Sequence, residues 1–154
     1  MKGKNEQELL MNDPKDYIRA EVHRLYYTYD TNCARVTMHC LGHLFNIEIE
    51  EQTWWAAAGM HGAGGFGAQC GLVEGALLFI GIFCHHYGLP RQVVVDACFR
   101  YGEAFAERFG SLRCCELRPG GFKEDDPPHL CERLSCDTTA FAYEFMKEIQ
   151  KKYL

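Results

Sequence analysis

Cysteine is the residue type in this chain best suited to chemistry; there are nine in 154 residues. As thiolates, cysteines ligate soft metals and iron–sulfur clusters and carry out thiol–disulfide exchange. Four of them occupy the same kind of position. Cys33 follows Asn32, a good helix-capping residue. Cys70 closes a glycine-rich stretch. Cys114 follows Ser111 by three residues, and Cys136 follows Ser135. Each setting predicts a cysteine in or beside the first turn of a helix. Unpaired backbone N–H groups and the positive end of the helix dipole favour the thiolate there. Cys33, Cys70, Cys114 and Cys136 are therefore the candidate ligands or redox thiols, and they are expected to converge. Cys40, Cys84 and Cys98 fall within predicted helices on apolar faces and read as core. Cys115 and Cys131 are further thiols that could compete as ligands.

The spacings match no compact metal motif. There is no C-x-x-C, so the zinc-ribbon and thioredoxin signals are missing, and no C-x-x-C-H, so covalent haem is not expected. An odd number of cysteines excludes a fully paired disulfide framework. Three uses of the thiols stay open: an iron–sulfur cluster or thiol/disulfide cycling, zinc binding or plain packing, and a nucleophile at Cys70 with His61 as base.

The elements that must position these residues centre on Gly59–Gly75. Gly59, Gly62, Gly64, Gly65, Gly67, Gly71 and Gly75 lie in it, and it leads into an apolar run, Leu72–Phe83, whose only charge is Glu74. The run's length favours a helix over a strand, and its lack of charge predicts burial on all sides. Gly81 within it is read as a close-contact glycine intolerant of leucine. A glycine loop delivering Cys70 to a buried helix predicts a thiol that ionises below the ordinary cysteine value of about 8.5. Such a thiol would be alkylated faster than Cys84 or Cys98.

Other helices follow from caps and spacing. Asp13-Pro14 opens one that carries Ile18, Val22, Leu25 and Tyr26. Cys33, Val36, Cys40, Leu41 and Leu44 stripe a second. A short one is expected over Glu51–Ala58. Pro90 opens a helix bearing Val94, Ala97, Tyr101, Phe105 and Phe109, with Gly110 fitting its C-terminal cap. The last is placed from Ser135 or Asp137 onward, burying Phe141, Phe145, Met146 and Ile149. No strand signal competes. The expected architecture is an all-α, single-domain helical bundle over residues 1–154, with a central buried helix preceded by a glycine-rich loop. Residues 1–12 are read as a frayed N-terminus and 118–130 as a long loop.

Net charge is −5 and no dense Lys/Arg stripe is present, so no nucleic-acid surface is expected. The opening residues carry no apolar core of a signal peptide, and no apolar run is long enough to span a membrane. A cytoplasmic protein without membrane attachment is expected.

Several blocks resemble those of the redox-active proteins named for a C…GCAxxG…C…C signature. Asn32-Cys33-Ala34 is similar to their opening N-C-A. Gly59–Gly75 resembles their glycine-rich stretch ending in C-G-x-V-x-G. Phe109-Gly110-Ser111 with Cys114 and Glu116-Leu117 resembles their third block, and Cys136 resembles their fourth cysteine. The resemblance covers about residues 30–150. Leu72 stands where the family usually has alanine, and Glu74 where a small or hydroxyl residue is common. The resemblance implies a redox protein that transfers electrons to or from an unidentified partner. A similar region in split-Soret cytochrome c carries an iron–sulfur cluster, which raises the cluster reading; with the aromatic content here, it also implies a homodimer.

Among possible assistants, His61 lies in the glycine loop and Glu74 one turn beyond Cys70. His39 and His43 are four apart on one helix, metal-ligand spacing, yet they flank an apolar stripe and read as structural. Trp54, Trp55, Tyr26, Tyr27 and Tyr29 read as core.

Overall fold

The structure is a computed structural model that describes residues 13–154. The expectation for residues 1–12 lies outside the described residues. Eight helices follow in order: α1 (Pro14–Tyr29), α2 (Cys33–Leu44), α3 (Glu51–Ala56), α4 (Gly62–Gly65), α5 (Gly71–His86), α6 (Arg91–Phe109), α7 (Cys114–Leu117) and α8 (Glu132–Tyr153). Among the described residues the only extended pairing is one isolated antiparallel bridge, Gln69 to Arg113. The fold is all-α, as the periodicity predicts.

The start signals work as capping chemistry requires. Asp13 accepts a hydrogen bond from the Lys15 N–H, with Pro14 opening α1. Asn32 caps α2 by accepting from the Arg35 N–H at 3.0 Å. Its amide nitrogen also donates to the carbonyls of Ala57 and Ala58, each at 2.8 Å. One side chain thus ties the start of α2 to the entry of the glycine loop. Gly110, with φ 91°, ends α6 in the left-handed region.

α5 is the hub. It packs against α2, α6 and α8, most extensively on α2. No residue from Gly71 to Cys84 is exposed. Phe79, Ile80 and Phe83 are fully buried, each worth roughly 1.5–3 kcal/mol of transfer free energy. Facing it, Tyr101 and Phe105 of α6 and Phe141 and Phe145 of α8 pack as an aromatic seam, with ring centroids 5.1–6.4 Å apart.

The glycines of α5 are not equivalent. A Cβ at Gly75 would collide with the Ala34 carbonyl oxygen and the Thr37 side chain, so α2 and α5 cross backbone to backbone there. A Cβ at Gly81 would meet nothing within 4 Å. The expectation that Gly81 marks the close contact is corrected: the crossing lies nearer the helix N-terminus.

Two further expectations change. The final helix begins at Glu132, capped by Cys131, earlier than Ser135 or Asp137. Ser135 resembles an N-cap in sequence, but its hydroxyl is fully buried in a 2.6 Å hydrogen bond with the Tyr26 hydroxyl. Trp55 is 65 % exposed and Tyr27 and Tyr29 also face solvent, whereas Tyr26 is core. The Arg35 guanidinium lies over both Trp54 and Trp55, so these rings cover a cation. The 118–130 loop is organised by Arg118, which donates to the Gly121 carbonyl and pairs with Asp126.

The two glycines give opposite expectations. Gly75→Ala should destabilise by about 1–3 kcal/mol through overpacking. Gly81→Ala should be neutral or stabilise by up to about 1 kcal/mol through helix propensity. Denaturant unfolding of the two variants checks this; equal effects would contradict the placement of the crossing.

Candidate functional site

Helix starts bring the thiols together. Cys33 is the first residue of α2, Cys70 the N-cap of α5, Cys114 the first residue of α7 and Cys131 the N-cap of α8. Two short segments fix Cys70 against Cys114. The Cys70 N–H donates to the Leu112 carbonyl at 2.8 Å, and the Cys114 N–H donates to the Ala68 carbonyl at 2.7 Å. The chain before α5 therefore runs antiparallel to the chain entering α7. Cys33 reaches the same place from α2: its sulfur lies 2.3 Å from where a Cβ on Gly71, the residue after Cys70, would be.

The glycine loop wraps this group. Gly62, at φ 69°, takes a left-handed conformation, and a Cβ there would stand 2.9 Å from the Cys114 sulfur. Ala63 and Gly64 also have positive φ, so α4 is a left-handed turn more than a helix. Met60 turns its carbonyl toward the Cys33 sulfur at 4.0 Å. Glycine here allows backbone to close over sulfur.

Electrostatics place the fourth thiol. Burial chiefly pushes the Cys33 thiol up to about 12, and negative charge on Cys70, Cys114 and Cys131 adds to the rise. Burial also pushes Cys70 up to about 11. The N–H groups of Leu72 and Val73 oppose that rise, although neither closes a cap hydrogen bond to the sulfur; Cys114 and Cys131 reinforce it. Cys114 and Cys131 are raised by burial too, and the Arg118 guanidinium pulls both down. Cys33, Cys70, Cys114 and Cys131 thus sense one another.

Cys136, the expected fourth member, faces elsewhere. It is the fifth residue of α8, raised by burial and then by Glu132 and Asp137, and lowered by Arg19. It lines a surface cleft of about 760 Å³ together with Lys15, Arg19, Arg108 and Arg133. Its thiol neighbour is the buried Cys40, on which its charge acts. Of the expected set, the structure brings Cys33, Cys70 and Cys114 together and puts Cys131 beside them. Pro127-Pro128 just upstream was the sequence signal for an earlier helix start.

The expected acidity of Cys70 is reversed. At 4 % exposure, the loss of hydration outweighs the helix end. A thiol pushed upward is the opposite of an activated nucleophile, so the nucleophile reading loses its basis.

The assistants are placed as follows. His61 is half-buried, with Nδ1 3.5 Å from the Asn32 amide nitrogen. Glu74 accepts from the Gln69 amide at 3.0 Å, and burial raises its carboxyl. His39 pairs with Glu21 at 2.7 Å, and His43 stacks on Tyr17. Behind the thiols, Tyr26 carries the Ser135 hydrogen bond and stacks on His129, whose Nε2 pairs with Asp30 at 2.9 Å.

Comparison with known proteins gives one match. A family model described as "Putative redox-active protein (C_GCAxxG_C_C)" covers residues 31–149. No curated protein matches, and no solved structure matches.

Two outcomes test this electrostatic picture in reduced, metal-free protein. Iodoacetamide at pH 8 should label the exposed Cys115 before Cys70 or Cys33, read by peptide mass spectrometry. Stability should be full below the unfolded cysteine value of about 9 and fall as pH rises through about 11 to 12, because only the unfolded chain ionises freely there. A stability profile flat from pH 8 to 11 would contradict the buried thiols.

Proposed function

The chain belongs to the C_GCAxxG_C_C family of redox-active proteins, and from that premise we propose that Cys33, Cys70, Cys114 and Cys131 hold an iron–sulfur cluster that moves single electrons. The observation carrying this reading is the gathering of thiols at helix starts: the Cys33 sulfur packs against Gly71, backbone hydrogen bonds hold Cys70 beside Cys114, and Cys131 caps the start of α8, with Cys70 buried and the other three half-buried. Soft thiolate donors in that number are the usual ligand set of such clusters. Among the described residues, no three His, Cys, Asp or Glu side chains stand close enough to hold one metal ion. A four-iron cluster suits a wider thiol arrangement, because there each thiolate takes its own iron. The cluster supplies one-electron chemistry when bound.

The chain's own groups do the rest. The Gly59–Gly67 turn covers the thiols with backbone and limits water, which favours low-dielectric control of potential. Arg118 offsets negative charge beside Cys114 and Cys131. The N–H groups of Leu72 and Val73 do so beside Cys70. Asn32 keeps the start of α2 and the loop in one piece. Among the described residues no helix is long and apolar enough to cross a membrane.

A second reading rests on Cys33, whose sulfur lies directly against Gly71, next to Cys70. These two thiols would cycle with a disulfide, releasing two electrons and two protons on oxidation. Anaerobic reconstitution with ferrous iron and sulfide separates the readings. A brown protein with charge-transfer absorption is expected. Cys131→Ser should lose most of its iron and Cys136→Ser should keep it. A colourless protein with stoichiometric zinc, or iron retained by Cys131→Ser and lost by Cys136→Ser, would overturn the assignment.

A further inference from the structure

α5 has one charge, Glu74, between Leu72 and Phe83, and a helix so apolar is stable when covered all round. The chain covers most of it and leaves one stripe half-open. Glu74, Leu77, Leu78, Gly81 and Ile82 are only partly buried and His85 is exposed, while every residue between them is buried. The steps of four, three and four from Glu74 through Leu78 and Gly81 to His85 keep these residues on one side of the helix. A Cβ at Gly81 would meet nothing within 4 Å, so the stripe carries an open notch near its middle. α6 packs alongside, with the Cys98 sulfur 4.0 Å from the Leu77 carbonyl oxygen. On α6, Val95 is 43 % and Phe99 67 % exposed, which widens the apolar surface.

The stripe is complementary to itself. Against a reversed copy, Leu78 falls level with Gly81 and Glu74 falls level with His85, each pair occurring twice. The large side chain of one helix then meets the notch of the other, as interdigitating antiparallel helices require. Charge follows the same register. Glu74 lies in the first turn of α5, and His85 and His86 lie in the last. Among the described residues neither Glu74 nor His85 is paired with an opposite charge. The acidic end of one helix would lie beside the basic end of the other, and antiparallel helix dipoles favour the same arrangement.

We propose that two copies of this chain pair through α5, antiparallel about a two-fold axis, with Leu78 of each copy seated at Gly81 of the other and Glu74 beside His85. Such an interface uses one patch on both copies and closes at two. It does not depend on what the thiols hold. At about 1.5 Å per residue the two Cys70 positions stand roughly 28 Å apart along the helices, so each copy keeps its own centre.

Sedimentation equilibrium of reduced, metal-free protein at micromolar concentration tests the pairing, with reductant excluding dimers linked through the exposed Cys115. The parent should sediment at twice the chain mass. Gly81→Gln fills the notch with a good helix former that has room within the chain, so it should fold with unchanged circular dichroism and sediment as a monomer. His85→Glu sets carboxylate against carboxylate and should also give a monomer. Adding Glu74→Arg to His85→Glu restores opposite charges and should restore the dimer. Glu148→Arg, an equal charge change at an exposed position of α8, should leave the dimer intact. A monomeric parent would overturn the proposal. So would a dimer that survives Gly81→Gln, or a charge-swapped double variant that stays monomeric while folded.

Discussion

The rest of the structure depends on one steric constraint: α2 and α5 cross near their N-termini where α5 presents glycine, Gly71 and Gly75, to α2. Gly75 lies on the carbonyl of Ala34, and Gly71 on the sulfur of Cys33. Two helices this close place their first residues side by side, so Cys33 and Cys70 become neighbours without any loop having to reach. The crossing also leaves little freedom elsewhere. The chain between the helices must return to the start of α5, and it does so through a left-handed turn at Gly62–Gly64 that a chain of larger residues would strain. The same turn presses on Cys114, bringing α7 into the group.

Much of this was legible in sequence. Caps such as Asp13 and Asn32 and the left-handed Gly110 are local signals, and local signals survive tertiary packing. The run after Cys70, with Glu74 its only charge, identified the hub, because a helix so apolar must be covered on all faces. The misread features depend on what lies across from them. Gly81 and Gly75 look alike in sequence, and only the path of α2 tells them apart. Ser135 was taken for a cap because serine favours caps, yet Tyr26, more than a hundred residues earlier, holds its hydroxyl. That error shifted the helix start past Cys131 and put Cys136 in its place. Trp54 and Trp55 were assigned to the core on hydrophobicity alone, but Arg35 gives them a role at the surface.

The acidity of Cys70 was misjudged for a quantitative reason. A helix N-terminus contributes about half an elementary charge, effective within one turn. Full burial of a thiolate can shift a pKa by several units. Exposure decides between the two, and exposure is not written in the local sequence. A loop rich in glycine suggests an open site, but this one folds down over its cysteine.

That balance bears on what the site can do. Four thiols, one buried and three half-buried, share a region in which, among the described residues, Arg118 is the side-chain cation acting on them, and it acts on Cys114 and Cys131. Four thiolates cannot persist there uncompensated. The group must be protonated, oxidised to disulfide, or neutralised by metal. Protonated thiols would pack there as small hydrophobes, as Cys40 and Cys84 do in the core. Disulfide formation uses thiols in pairs, and Cys33 with Cys70 is the pair the helix crossing sets up. A metal cluster would offset part of the charge on all four at once, leaving the helix starts and Arg118 to compensate the remainder. The steric constraint therefore brings the sulfurs together, because the helices cross closely, and the electrostatic one requires that any charge they carry be compensated.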